Sequence, residues 1–445
     1  MKFAFAPVLY YLASSPPSSN TIIHSNKMPT PNDRLPTLRE FTLPSEDSPR
    51  NKNLSARTNE MNQLFEKGAP LSEKELDDIL NSIQNLCPKD NNKDFTIDLD
   101  DLKKTLTEIA HISHKDWNVT GKNTKLLEQK LFPEGVATPM ARQILERILT
   151  EGNWDGAAQH AQDGRPDSVR PWAVLVTGVN GIRKTTSIYQ DWFPQILKEA
   201  LVPPKDMEQV PDFPKESLPV GSNSFFRQLD HMIATLCNED FKVLYWLTEK
   251  ELEDNGNTPE NPSSHIVKKY SDLKAAIFSR YRTLSELLGA LLLREAQTLK
   301  SNCMMETSGR DVAMFHYVDH FFPADKYNKL ALHFNINDLS QAQTSVDQRM
   351  IGEIQTGIQA LQAKDVFDVV YANAGGPYGS EVLPGVQEAS DRVWKDVVMK
   401  GDQVGQDWYK ATININAYSN KPWTAQAVRA DGSLGPSVFA FENKK

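Results

Sequence analysis

The residues best placed to do chemistry fall in one short stretch. An apolar run, Trp172-Ala173-Val174-Leu175-Val176, passes into Thr177-Gly178-Val179-Asn180-Gly181-Ile182-Arg183-Lys184-Thr185-Thr186. A glycine-rich turn between a buried strand and a helix points successive backbone N–H groups at a phosphate, and the helix N-terminus adds the positive end of its dipole. In that frame Lys184 reaches the β- and γ-phosphates of a nucleotide and the Thr185 hydroxyl holds a magnesium ion, while Gly178, Val179, Asn180, Gly181, Ile182, Arg183 and Thr186 complete the cradle. Gly178, Gly181, Lys184 and Thr185 fall where the patterns GxxxxGK[ST] and GxxGxGKT require them, but Arg183 stands in the place of the last glycine. A Cβ there crowds the close approach of backbone to phosphate that glycine permits. Its guanidinium either compensates with charge or marks a loop that no longer binds nucleotide well. The alternative is an ordinary strand-to-helix turn that uses Gly and Asn for their backbone freedom.

A chain of 445 residues accommodates two or three domains. Its formal charge of -9 argues against a nucleic-acid binder, so small molecules or proteins are the expected partners. The three cysteines, Cys87, Cys237 and Cys303, lie far apart without CxxC pairing, which indicates neither a zinc site nor a disulfide framework and suits a reducing, cytoplasmic setting. No stretch reaches the length of about 20 apolar residues that crosses a bilayer. The segment from Met1 to Ala13 has one lysine, a short apolar core and small residues after it, as an organelle-targeting or secretory leader would, although Pro7 interrupts it.

Composition divides the chain into four parts. Residues 1–60 are rich in Pro, Ser, Thr and Asn and read as a disordered leader. Helical spacing at Met61, Leu76, Ile79, Leu80 and Ile83, then at Leu102, Leu106 and Ile109, and again at Ile144, Ile148 and Leu149, predicts a helical N-terminal domain over 61–165. Between its first helices, Asp90 to Asp101 places oxygen side chains at several positions of a calcium loop, but Phe95 sits where the sharp turn wants glycine and Asp101 where a bidentate glutamate belongs. An acidic loop whose Asp caps a helix is the simpler reading. Over 166–385 strands alternate with helices. Strands are expected at Ala173 to Thr177, Asn302 to Glu306, Leu330 to Ile336 and Val366 to Tyr371, and helices from Ser187 to Glu199, Tyr270 to Leu299 and Ser340 to Leu361. That alternation means a mostly parallel sheet covered by helices, with ligands beyond the carboxyl ends of the strands. Residues 386–445 form an extension with alternating runs near Ile413 and Val438, and no chemistry attaches to them.

The segments that follow the phosphate-type loop carry a resemblance. Asn223-Ser224-Phe225-Phe226-Arg227, then Met305-Glu306-Thr307-Ser308-Gly309-Arg310-Asp311, then Arg349, then Val370-Tyr371-Ala372-Asn373-Ala374-Gly375-Gly376, together resemble the zeta-toxin family of small-molecule kinases over roughly half the chain. The resemblance implies the P-loop kinase fold, a three-layer α/β sandwich, with ATP and magnesium, and includes enzymes that phosphorylate UDP-N-acetylglucosamine. By it, Lys184 and Thr185 are the phosphate and magnesium residues, Arg349 is the lid arginine and Arg310 assists it. Glu306 receives substrate hydroxyls, and Asn373 lies where such kinases contact the nucleotide base. Arginine suits a transition state that spreads charge over three equatorial oxygens. The pattern departs at the base, because Asn223 and Ser224 occupy the place of an aspartate and neither an amide nor a hydroxyl takes a proton at neutral pH. Asp230 is the substitute. His231 and His333 lie near these motifs and read as structural. The expectation is an ATP-dependent phosphotransferase acting on a small-molecule hydroxyl, possible rivals being an inactive nucleotide-binding scaffold, an ATP-hydrolysing motor or a calcium-controlled kinase.

Overall fold

The computed structural model describes residues 70–86, 98–112, 116–163, 169–363, 365–401 and 404–439. The leader over 1–60 and the calcium-type loop up to residue 97 lie outside the described residues. The helices that come first are α1 (Glu73–Leu86), α2 (Leu99–Ile109), α3 (Trp117–Leu131), α4 (Pro139–Glu151) and α5 (Trp154–Gln162). Three of them, α2, α3 and α4, carry a capping side chain where the chain turns into them. Asp98 accepts the Asp101 N–H at 2.9 Å, Asp116 the Asn118 N–H at 3.0 Å and Thr138 the Ala141 N–H at 3.1 Å, so donors left over at the helix ends are satisfied. The end of the acidic loop is thus a helix cap, and Asp101 pairs with Lys130 of α3.

The remainder alternates. It runs β1 (Trp172–Thr177), α6 (Lys184–Ile188), α7 (Phe193–Ala200), β2 (Ser224–Arg227), α8 (Leu229–Leu236), α9 (Asn238–Asp254), α10 (Ser264–Thr298), β3 (Asn302–Glu306), α11 (Ala313–Phe321), β4 (Asn328–Ile336), α12 (Leu339–Leu361), α13 (Val366–Ala372), α14 (Leu383–Val393), β5 (Tyr409–Asn416), β6 (Thr424–Val428) and β7 (Val438–Phe439). The strands make one sheet in the order β2-β3-β1-β4-β5-β6-β7, with β2, β3, β1, β4 and β5 parallel and β6 and β7 antiparallel. Strands that are apolar at every position must be covered on both faces. Along β1, Ala173 and Leu175 pack into the core shared with α1, α4 and α10, whereas Trp172, Val174 and Val176 pack into a second core with α7 and the first half of α12. The sheet is therefore the middle of three layers. The outer side belongs to residues 409–439, where Tyr409, Ala411, Ile413 and Ile415 face the second core and Thr412, Asn414 and Asn416 are half-buried.

Two expectations need correction. Val366 to Tyr371 is the helix α13, not a strand: Asp365 caps it by accepting the Phe367 N–H at 2.9 Å, and Val369, Val370 and Ala372 are buried. A short continuous apolar run has no period that separates a buried strand from a buried helix. The helix expected from Ser187 to Glu199 is broken at residues 189–192, and Pro194 stands in the first turn of α7, where its missing N–H is harmless. Among the described residues no helix is long and apolar enough to cross a membrane.

The 35-residue α10 ties the layers together. Arg280 reaches Glu75 of α1 at 2.6 Å, Arg294 reaches Glu128 of α3 at 3.1 Å, and Glu286 lies 3.4 Å from Arg227 at the end of β2.

Candidate functional site

β1 lies at the centre of the parallel strands, and the chain leaves it toward β2 on one side and later returns to β4 on the other. That reversal opens a crevice at its carboxyl end. Gly178 and Gly181 turn the chain there with φ of 126° and 83°. A Cβ on either would come within 2.5 Å of a backbone carbonyl, Phe334 O for Gly178 and Ala342 O for Gly181, so both positions need glycine for conformation and for space. Arg183 adopts φ 60° and ψ 34°, a left-handed conformation that glycine takes more readily, and its guanidinium lies over the Trp423 ring at 4.8 Å. Among the described residues, the N–H groups of Val179, Asn180, Gly181 and Ile182 donate to no acceptor. Ile182 is buried against the second core and fixes the loop beneath. The helix that follows spans only five residues, so its dipole is a smaller contribution than the sequence suggests.

Lys184 is 4% exposed and folds back over the turn. Its Nζ donates to Gly178 O and Val179 O, each at 2.8 Å, and stands 3.0 Å from Glu306 Oε1. The Thr185 hydroxyl donates to Glu306 Oε2 at 3.1 Å, and Thr186 opens toward the outside of the same short helix. Glu306 arrives by register, because the last residue of β3 pairs with Val176 of β1. The Thr307 N–H to Val176 O bond (2.9 Å) and the Gly178 N–H to Ser308 O bond (3.3 Å) continue the pairing past the strand ends. Magnesium takes oxygen ligands and commonly uses one or two protein oxygens together with substrate phosphates and waters. Thr185 Oγ1 and Glu306 Oε2 are an oxygen pair that fits this ion, and among the described residues no group of His, Cys, Asp and Glu could hold a metal by itself.

Facing this turn is the segment Asn373 to Pro377, which follows α13 rather than a strand. Asn373 is buried, its carbonyl accepts from Arg147 Nη2 at 2.8 Å and its Oδ1 from the Gly375 N–H at 3.1 Å, which makes it a builder of the segment. Arg349 on α12 donates from Nη2 to Gly376 O at 3.3 Å, and its buried Nε has no partner among the described residues. A Cβ on Gly376 would meet Asp230 Oδ2 at 3.2 Å and Asn180 Nδ2 at 3.4 Å, and one on Gly375 would meet Arg349 Nη1 at 3.0 Å. Asp230, in the first turn of α8, Asn180 of the phosphate-type loop and Arg349 therefore converge on two glycines, whose lack of side chains leaves them room.

Other residues fall elsewhere. Arg310 is exposed at the crevice mouth with its guanidinium 5.7 Å from the Tyr378 ring, and Asp311 caps α11 through the Ala313 N–H at 2.9 Å. Arg227 is a buried structural residue that donates to the Tyr317 hydroxyl at 2.8 Å. Asn223 holds the turn before β2, accepting from the Val220 N–H and donating to Leu218 O, both at 2.8 Å. His333 packs on Trp394 at 4.7 Å and shares a 2.8 Å contact with the Thr177 hydroxyl, and burial pushes its imidazole down. Burial lowers His231 as well, while Glu151 at 2.8 Å pulls it the other way.

Sequence reasoning missed what holds Ala374 and Gly375 in place. Lys274 of α10 and Glu353 of α12 grip that backbone from within the core, and no local motif announces a pair separated by 79 residues. It also missed Trp423 as a neighbour of the phosphate-type loop. No known protein-family model, curated protein or solved structure matches the chain.

Proposed function

We propose that the chain is an ATP-dependent phosphotransferase that moves a phosphoryl group to a hydroxyl of a small molecule, in the manner of the zeta-toxin kinases it resembles. One observation carries the reading: a turn whose amides from Val179 to Ile182 find no acceptor among the described residues, a buried lysine and a Thr–Glu oxygen pair lies beside a second cluster in which Asp230 and Arg349 meet at Gly375 and Gly376. Two glycine-lined segments within contact of each other, one cationic and anion-seeking, the other bearing a carboxylate, are what phosphoryl transfer between two substrates needs.

In this reading the loop amides and Lys184 hold the β- and γ-phosphates of ATP. Thr185 and Glu306 hold magnesium, which when bound draws charge from the phosphate oxygens. Asp230 accepts the proton of the acceptor hydroxyl as its oxygen bonds to the γ-phosphorus, and the bridging oxygen departs with ADP. Arg349 stabilises the charge on the transferring group through its planar fork of donors. Glu306 has a second task. It pairs with Lys184 at 3.0 Å, and an entering phosphate competes with it for that ammonium. The acceptor, a nucleotide sugar among the candidates, enters past Arg310 and Tyr378.

An inactive nucleotide-binding scaffold is the second reading. The left-handed Arg183 favours it, because its side chain is committed to Trp423 at the loop's edge. Lys184→Ala decides between them and the first reading. Titration calorimetry with magnesium and ATP should show binding to the parent chain weakened at least a hundredfold in the variant, and labelled ATP with a panel of nucleotide sugars should yield a phosphorylated product only with the parent. Binding without product supports the scaffold, and turnover unaffected by the substitution rules out both.

A further inference from the structure

Lys274 and Glu353 are completely buried, deep behind the crevice. Taking two charges out of water costs more than their attraction commonly returns, so an apolar pair of similar size would serve stability as well or better. What the ion pair does that an apolar pair cannot is bind backbone. Lys274 Nζ spends its three donors on Glu353 Oε1 (2.7 Å), Glu353 Oε2 (2.9 Å) and Gly375 O (2.6 Å). Glu353 fills its remaining capacity with the Tyr270 hydroxyl on Oε1 and the Ala374 N–H on Oε2, the latter at 2.9 Å. The network is fully satisfied, which is the condition under which a buried polar cluster rigidifies its surroundings.

The grip is continuous. Ala374 is held by Glu353, Gly375 by Lys274 and Gly376 by Arg349. Arg349 and Glu353 lie one helical turn apart on α12, so one helix face sets both the arginine and the segment it contacts. Ser271, one turn before Lys274 on α10, adds a bond to Pro377 O at 3.1 Å.

We infer that the Lys274–Glu353 pair is a positioning device, which fixes the backbone of Ala374, Gly375 and Gly376 at the distance that lets Asp230 and Arg349 address one acceptor hydroxyl. The inference rests on the phosphotransferase reading for its kinetic consequence and on geometry alone for its structural one. Neither side chain touches substrate, and both act through the segment they hold.

The test uses the full chain with Glu353→Gln and with the double substitution Lys274→Met plus Glu353→Leu, which removes both charges together and keeps the site filled if the single variant does not fold. Hydrogen exchange read by mass spectrometry over residues 370–380 should speed up at least tenfold in either variant, while the segment 172–188 exchanges as in the parent. With UDP-N-acetylglucosamine as the probe acceptor, its KM should rise about tenfold and kcat fall, whereas the KM for ATP stays within about twofold, each factor of ten being about 1.4 kcal/mol. Unchanged exchange over 370–380 overturns the inference, and so does a parallel rise in both KM values, which signals general loosening. If the parent chain transfers no phosphoryl group at all, the phosphotransferase reading falls and the exchange result alone judges the positioning role.

Discussion

Replacing Arg183 separates backbone strain from side-chain contact at the one position where the phosphate-type loop departs from its pattern. The residue sits at φ 60° and ψ 34°, and a left-handed conformation costs a residue with a Cβ about 1–2 kcal/mol. Its exposed guanidinium over Trp423 returns about 0.5–1 kcal/mol, the range for exposed cation–ring pairs. Arg183→Ala loses the ring contact and keeps the strain, so equilibrium urea unfolding should show a loss of about 0.5–1 kcal/mol. Arg183→Gly loses the same contact and relieves the strain, but glycine gains about 0.4–1 kcal/mol of freedom in the unfolded chain. The glycine variant should therefore be more stable than the alanine variant by about 0.5–1 kcal/mol, and close to the parent. Calorimetry with magnesium and ATP completes the experiment, since the glycine variant removes the Cβ that stands at the phosphate approach and should bind more tightly than alanine does. Equal stability of the two variants, or alanine the more stable, would refute the argument that residue 183 is held in strained backbone.

Three further substitutions have outcomes set by the structure. Gly181→Ala places a Cβ 2.5 Å from Ala342 O at a φ of 83°, and should cost about 1–3 kcal/mol by urea unfolding, while Gly352→Ala on α12, where a Cβ meets nothing within 4 Å, should add about 0.5–1 kcal/mol. Burial pushes the Glu151 carboxyl up, but His231 and Arg147 outweigh it and hold the group at about 2 against an ordinary value of 4.5. Its contribution is then complete above pH 4.5 and lost as pH falls toward 2, because the unfolded chain takes up the proton first. Glu151→Gln should flatten the acid limb of the stability curve over that window, as read by unfolding at stepped pH.

The central strands were legible because β1 is apolar from Trp172 to Val176, β3 from Cys303 to Met305 and β4 from Leu330 to Leu332. α10 and α12 were legible from their length. β2 was missed, since four residues that also carry Arg227 offer no period to read. α13 was misread for the opposite reason, an apolar run too short to reveal a period. At the site, local spacing pointed to Lys184, Thr185 and Glu306, and strand register then brought them into contact. The meeting of Asp230, Asn180 and Arg349 at two glycines depends on three separate helices and loops, which spacing does not encode. No local spacing singles out Lys274 and Glu353. Their burial becomes apparent only when α10 and α12 lie against each other and the chain turns back over them after α13.

The outer strands carry a consequence for how the protein is made. β4 lacks its second neighbour until β5 has been synthesised, and the turn bearing Trp423 is added later still. A ribosome that has reached residue 400 has produced almost every helix yet displays an open strand edge, a template for unwanted pairing with other chains. A polypeptide ending there should aggregate or be degraded instead of persisting as a smaller folded protein, which makes those late residues a checkpoint on translation.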